Sequence, residues 1–375
     1  MTRVRLGDVA REVRKRTFES SDLPTVGLEH LDSGEVELTR WNEGVETTFT
    51  KEFEKGQVLF GRRRAYLHKA VVAPFDGVCS GDITVIAAGD GLSPRLLPFI
   101  IQNDALFKHA VEKSAGSLSP RVKWQGLAEF EIELPGIQAQ EGLADVLWAA
   151  QETKRRYKRL LATCDDVVKS QFVEMFGDPS TLIGRWTVSR LDGFTQIITG
   201  NTPSRKHPEY YGEGTEWIKT DNIVNSVITT AAEQLTTVGR EKARIAPAGS
   251  ILMACIAGSV NSIGKVGLLD REAAFNQQIN AIVPGDKVDA RFLLTMLSLS
   301  KAYLCSNVNQ QLKGILNKST LSAKQFPVPP LPLQQEFADF ATSVDKSKFA
   351  VQQALDELNA TTKKILNQEL GLGDV

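Results

Sequence analysis

LPGIQAQEGLADVL, at residues 134–147, has a counterpart in LPLQQEFADF, at residues 331–340, near the other end of a 375-residue chain. In one ungapped register Gln140 falls on Gln334, Leu143 on Phe337, Ala144 on Ala338, Asp145 on Asp339, Leu161 on Leu355, Lys169 on Lys363 and Gly177 on Gly371. A duplication on this scale guides the fold more strongly than any local motif. Both copies open with Leu-Pro, which resists continuing the element before it and suits a helix start. Both close on a glycine suited to a helix C-terminal cap.

Between those marks the apolar residues follow the three-four alternation of a heptad. The seam runs through Leu143, Leu147, Tyr157, Leu161 and Val168 in the first copy, with Lys154 and Gln171 interrupting it. In the second copy it runs through Phe337, Val344, Val351, Leu355, Leu358 and Ile365. About five heptads of this pattern predict two coiled-coil helices, each on the order of 50 Å long at 1.5 Å per residue.

The intervening segments repeat more loosely. VRLGDVAREV pairs with SRLDGFTQII, and EKGQVLFGRRR with PAGSILMACIAG, in each of which a turn glycine feeds a short apolar strand. HKAVVAPFDGVCSGDITVIAAGD and GKVGLLDREAAFNQQINAIVPGD both read as strand, turn, strand, bounded by Gly, Pro and Asp. A short helix follows each, around SPRLLPFIIQND and DARFLLTMLSLS. The expected plan is mixed α+β: a globular segment at 1–133, a long helix at 134–178, a second globular segment at 179–330 and a second long helix at 331–375.

Composition sets the class. Hydrophobic residues at 42% and charged residues at 24% fit a globular protein with room for two or three domains. The four cysteines (Cys79, Cys164, Cys255, Cys305) lie far apart without a C-x-x-C, which argues against a disulfide framework or a zinc knuckle. The charged start MTRVRLGDVAREVRKR is no signal peptide, and no run of about 18 apolar residues occurs, so a cytoplasmic protein without a membrane span is expected.

A net charge of −1 describes the whole surface, whereas nucleic-acid binding needs one positive face. Cations bunch in REVRKR at 11–16 and in GRRRAYLHK at 61–69. Arg62, Arg63, Arg64, Tyr66, His68 and Lys69 are the candidate DNA contacts of the first segment, since guanidinium forks match guanine edges and phosphate oxygens. In the second segment the candidates are Thr202, Ser204, Arg205 and Lys206 in a polar turn-rich loop. Asn261 and Lys265 lie in the loop matching the arginine cluster. Asn276, Gln277 and Gln278, in the stretch FNQQIN, carry amides that could pair with adenine edges. The run KRRYKR at 154–159 reads either as a phosphate-facing stripe or as a solvated helix face.

The tandem layout, the LP…Q opening of each long helix, the KSQFVEMFGD exit of the first, and the KGQVLFGRRR and LPLQQEFADF stretches resemble the specificity subunit of type I restriction-modification systems, over essentially the whole chain. The resemblance implies two similar target recognition domains, each reading half of a split double-stranded DNA site. It implies two long antiparallel helices that form a coiled coil, separate the domains around a pseudo-twofold axis and dock methyltransferase subunits, two per specificity subunit. Restriction subunits would be further partners.

Enzyme chemistry finds little support. AGSVNSIGKV departs from a phosphate-binding loop at Ser259 and Val266, and Glu152-Thr153-Lys154 lies inside a predicted helix without a partner acid. His30, His68, His109 and His207 lack metal-ligand spacing, and no adenine-methyltransferase tetrapeptide or glycine-rich cofactor loop is present. No catalytic residue, metal or cofactor is expected. The rival reading is a coiled-coil adaptor whose globular segments bind protein, which salt-dependent duplex binding would separate from a DNA reader.

Overall fold

A computed structural model describes residues 1–17, 23–44, 47–181, 186–231, 233–256, 262–306 and 315–372. The chain divides into two compact units, Met1–Arg159 with Gln352–Val375, and Leu160–Val351. Two long helices, Ile137–Phe176 and Leu331–Glu369, each contribute to both. At 1.5 Å per residue each extends about 60 Å.

The strands described in the first unit are β1 (Thr2–Arg5), β2 (Ala10–Val13), β3 (Thr25–Val26), β4 (Lys51–Phe53), β5 (Val58–Gly61), β6 (Ala70–Val72), β7 (Gly77–Cys79), β8 (Ile83–Ala88) and β9 (Glu131–Leu134). They form sheets of order β2-β8-β5-β6, β3-β7-β4 and β1-β9. VLFG of β5 is buried throughout, as is the first part of ITVIAA in β8, because apolar residues there face packing on both sides. EIEL of β9 instead alternates exposed and buried residues, as a strand with one wet face must.

The second unit follows with β10 (Val188–Arg190), β11 (Thr195–Thr199), β12 (Tyr211–Ile218), β13 (Glu233–Leu235), β14 (Ile245–Ala246), β15 (Ile251–Ala254), β16 (Val266–Leu268), β17 (Ala273–Phe275), β18 (Ile279–Pro284) and β19 (Gln325–Pro327). Its sheets are β11-β18-β15-β16, β13-β12-β17-β14 and β10-β19. The winding of the first unit is reproduced strand for strand. β3 pairs parallel with β7 as β12 does with β17, and β4 pairs antiparallel with β7 as β14 does with β17. The edge strand β13 is an addition of the second unit.

Within each unit the start of one long helix packs beside the end of the other, so the helices run antiparallel there. Leu143 and Leu147 share the first core with Leu366 and Leu370. Val168, Phe172 and Phe176 share the second with Phe337 and Ala341. Of the seam residues, Leu143, Leu147, Val168, Phe337 and Leu355 are buried, while Tyr157, Leu161, Val344, Val351, Leu358 and Ile365 are half-buried. Lys154, which breaks the apolar pattern, lies beside Glu35 at 3.9 Å. The interruption therefore holds a globular segment instead of a helix partner.

A buried glutamine fixes each helix to its own globular segment. Gln140 Oε1 accepts from Ser93 N at 2.9 Å, and its Nε2 donates to the carbonyls of Gly91 and Pro135, both at 2.9 Å. Gln334 accepts from Asp289 N at 2.9 Å and donates to Lys287 and Pro329 at 3.1 and 2.7 Å. Beyond the helix ends Gly177 and Gly371 have φ of 86° and 62°, the left-handed region in which glycine carries little penalty.

Candidate nucleic-acid interface

The arginine cluster grows out of β5. Arg62 N donates to the Asp82 carbonyl at 3.0 Å, and the Arg62 carbonyl accepts from Val122 N at 3.0 Å. The second unit repeats this frame, with Cys255 N donating to Gln278 O at 2.8 Å and Cys255 O accepting from Leu316 N at 2.9 Å. Arg62 thus stands where Cys255 stands, and Asp82 where Gln278 stands. The turn before β8 is also the same: Ser80 Oγ accepts from Asp82 N at 3.2 Å, as Asn276 Oδ1 accepts from Gln278 N at 3.1 Å. Lys69 and Lys265 match too, their carbonyls accepting from Gly61 N and Ala254 N at 2.8 and 2.9 Å.

On this shared frame the first unit places charge. Arg63 Nε donates to Ser119 Oγ at 2.6 Å, and its Nη1 lies 3.6 Å from Asp82. Arg121 takes the same carboxylate through Nε at 2.8 Å and Nη2 at 3.3 Å. The Arg121 hydrogen bond, followed by the charges of Arg121, Arg63 and Arg62, holds the Asp82 carboxyl below its usual range although burial pushes the other way. Arg64 is exposed, with φ of 55°, a left-handed conformation that turns the chain sharply. No hydrogen bond or ion pair holds its side chain among the described residues.

The rest of the run turns away from the arginines. His68 stacks on Phe107 at 4.5 Å and lies 3.4 Å from Asp104, while Lys69 Nζ donates to the Leu28 carbonyl at 2.7 Å. Tyr66 is exposed. The six candidates therefore split into three arginines, the exposed Tyr66, and two residues, His68 and Lys69, that are held by neighbouring elements.

The second unit presents amides and aromatics. Thr202 Oγ1 donates to Gln277 Oε1, joining the polar loop to the turn at 276–278. Gln277 is exposed, whereas Asn276 is buried and donates to Gln278 Oε1 at 3.2 Å. Arg205 lies over the Tyr211 ring at 4.0 Å and pairs with Glu233 at 2.6 Å. The Lys219 hydrogen bond, then that of Arg205, holds the Glu233 carboxyl below its usual range against the effect of burial. Ser204 and Lys206 are exposed, Lys265 is half-buried, and Asn261 lies outside the described residues.

Asp82, Ser119 and Arg121 escape a sequence reading because they reach the arginine edge from distant stretches. Their signal lies in the repeat: once Gln278 is singled out, the duplicated turn points to Asp82. The helical KRRYKR run meets acids on its own side, with Arg156 on Glu152 at 2.9 Å and Lys158 on Glu35. Among the described residues no group of three or more His, Cys, Asp or Glu could hold a metal ion, and no helix is long and apolar enough to cross a membrane.

A family model for the type I restriction modification DNA specificity domain matches residues 184–360. The HindI specificity subunit of Haemophilus influenzae is 31% identical over 217 residues, covering 54% of this chain and 46% of that protein. Residues 184–360 therefore carry a domain similar to the type I specificity domain. The MjaIX specificity subunit of Methanocaldococcus jannaschii is 28% identical over 171 residues, covering 43% of this chain and 38% of that subunit. These alignments span less than half the length of the specificity subunits they match. The likeness in fold is wider. The type I system S subunit of M. genitalium superposes with a TM-score of 0.58 at 12% identity, over 100% of this chain and 96% of that one. A chain from a structural study of type I complex assembly gives 0.55 at 19% identity, over 98% and 97%. The specificity-subunit fold therefore extends through the first unit, beyond the matched domain.

Proposed function

We propose that this chain is the DNA-reading subunit of a type I restriction-modification complex and carries out no catalysis of its own. Each globular segment, 1–133 and 179–330, reads one half of a split duplex site. The long helices, 134–178 and 331–375, set the spacer and offer the surface on which methyltransferase subunits dock, with restriction subunits joining the cytoplasmic complex.

The observation that carries this reading is the shared turn at residues 80–82 and 276–278. One backbone frame presents Asp82 with Arg63 and Arg121 in one unit, and Gln278 with Asn276 and Gln277 in the other. A constant frame with exchanged donors and acceptors is what reading two different base sequences requires, because discrimination lies in the groove-edge pattern and positioning lies in the frame.

Coexpression with the methyltransferase partner and mapping of modified bases tests it. A split motif of two half-sites is expected. Methylation at a continuous motif, or without regard to sequence, would overturn the proposal.

A further inference from the structure

The REVRKR stretch at 11–16 plays no part in the edge described above, yet the fold brings it to the arginine run. A cleft of about 580 Å3 in the first unit is lined by Arg14, Arg16, Lys51, Arg62 and Lys123, with Trp124 in its wall. The cations come from four separate stretches of chain. The one acid in the lining, Glu12, is engaged by Arg14 at 2.8 Å. Arg62 Nε is buried without a hydrogen-bond acceptor, a state that asks for compensation at the rest of its guanidinium. Arg16 and Lys123 are exposed, and no ion pair involves either among the described residues.

The strand registers identify the corresponding positions in the second unit. Val13 opposite Val85 matches Ile198 opposite Ala281, so Arg14 and Arg16 correspond to Thr199 and Asn201. Lys51 opposite Cys79 corresponds to Arg244, one residue before the Ile245 that faces Ala274. Arg62 corresponds to Cys255, and Lys123 to Asn317, the residue after Leu316. Five cations become one, and that one, Arg244, donates to the Thr199 carbonyl at 2.6 Å. Asn201 is likewise turned inward, donating to Lys242 O at 2.7 Å.

We infer that the cleft of the first unit is a seat for a DNA backbone phosphodiester and that the second unit has no equivalent seat. This rests on the DNA-reading function proposed above and adds an asymmetry to it. The first unit anchors the backbone by charge, so it carries the larger share of the salt dependence. A planar, donor-rich guanidinium beside lysine ammonium groups suits phosphate oxygens, and such contacts position the duplex without reading bases.

The test compares the wild-type complex with its methyltransferase partner against the R16Q/K123Q double variant, both sites being exposed. Binding of a 30-base-pair duplex of arbitrary sequence is measured from about 50 to 200 mM salt. Removing one phosphate interaction should flatten the slope of log affinity against log salt by about 0.9, and the double variant should be shallower by about that amount. The methylated motif should stay the same. A slope equal to wild type in a variant that melts normally overturns the cleft assignment, and so does an altered motif, which would make these residues base readers. Wild-type complex that does not bind duplex DNA at all overturns the DNA-reading function itself.

Discussion

Arg121 grips Asp82 with two nitrogens, at 2.8 and 3.3 Å, across 39 residues of sequence. Arg63 stands 3.6 Å from the same carboxylate. One acid thereby sets the positions of two guanidiniums, and the neighbouring Arg64 has no carboxylate to share with them among the described residues.

The pair has a pH signature. Asp82 is held below its usual range, chiefly by the Arg121 hydrogen bond. A depressed folded-state value contributes stability above the unfolded value, about 4 for aspartate, and loses it as pH falls through the lower folded value. The partners are partly exposed, so the contribution should be no more than about 1 kcal/mol. The difference in melting temperature between wild type and D82N should be constant near neutral pH and shrink below about pH 4. A difference that does not change on acidification would show that the carboxylate charge is not what stabilises this edge.

The matched glutamines give a second expectation. Truncating Gln140 to alanine strands one backbone N–H and two carbonyls, and Q334A does the same in the other unit. Leaving buried polar groups unpaired costs about 1–3 kcal/mol. The two single variants should lose similar stability in denaturant titrations, and Q140L should restore little, since apolar bulk supplies no partner. A loss below about 0.5 kcal/mol in both would mean that water replaces the amide.

A third expectation concerns the polar contact between Asn103 and Asn367, both buried, with Asn103 Nδ2 donating to Asn367 Oδ1 at 2.8 Å. N367L should destabilise by about 1–3 kcal/mol because it orphans the Asn103 amide, whose Oδ1 already caps a helix by accepting from Ala105 N. Unfolding of the purified variant measures this directly, and a neutral N367L would remove the pair from the forces holding the second long helix to the first unit.

The helices are legible in the sequence because their signals are local and doubled: heptad spacing, Leu-Pro openings and closing glycines occur twice in one register. The paired strands are partly legible, since QVLF and SILM are short apolar runs after turn glycines. The parallel pairing of β3 with β7 is not, because strands many residues apart leave no periodic trace of their partnership. Phe172 and Phe176 sit in KSQFVEMFGD, but only the fold sets them against Phe292 and Phe337, with ring centroids 5.0–5.8 Å apart. The candidate site shows the same divide. An RRR run announces charge and the duplicated turn marks Asp82, whereas Arg121 and Lys123 join them through tertiary packing that no spacing rule encodes.

The last expectation tests the proposed assignment of one half-site to each unit. R64Q keeps a β-carbon and a polar end at the left-handed position, so its backbone cost should match that of arginine and any effect should come from the missing guanidinium. If Arg64 reads a base, the variant should lose about 1–3 kcal/mol of discrimination at one position of one half-site, visible as a relaxed base in the methylation motif. Q277A, at the exposed corner of the equivalent turn, should relax one position of the other half-site, because it removes the amide that meets Thr202. The double variant should relax both positions by the sum of the single effects, because sites without shared partners add. Uniformly weaker methylation at an unchanged motif would make Arg64 a phosphate contact. Relaxation of the same half-site by both variants would contradict the assignment of one half-site to each unit.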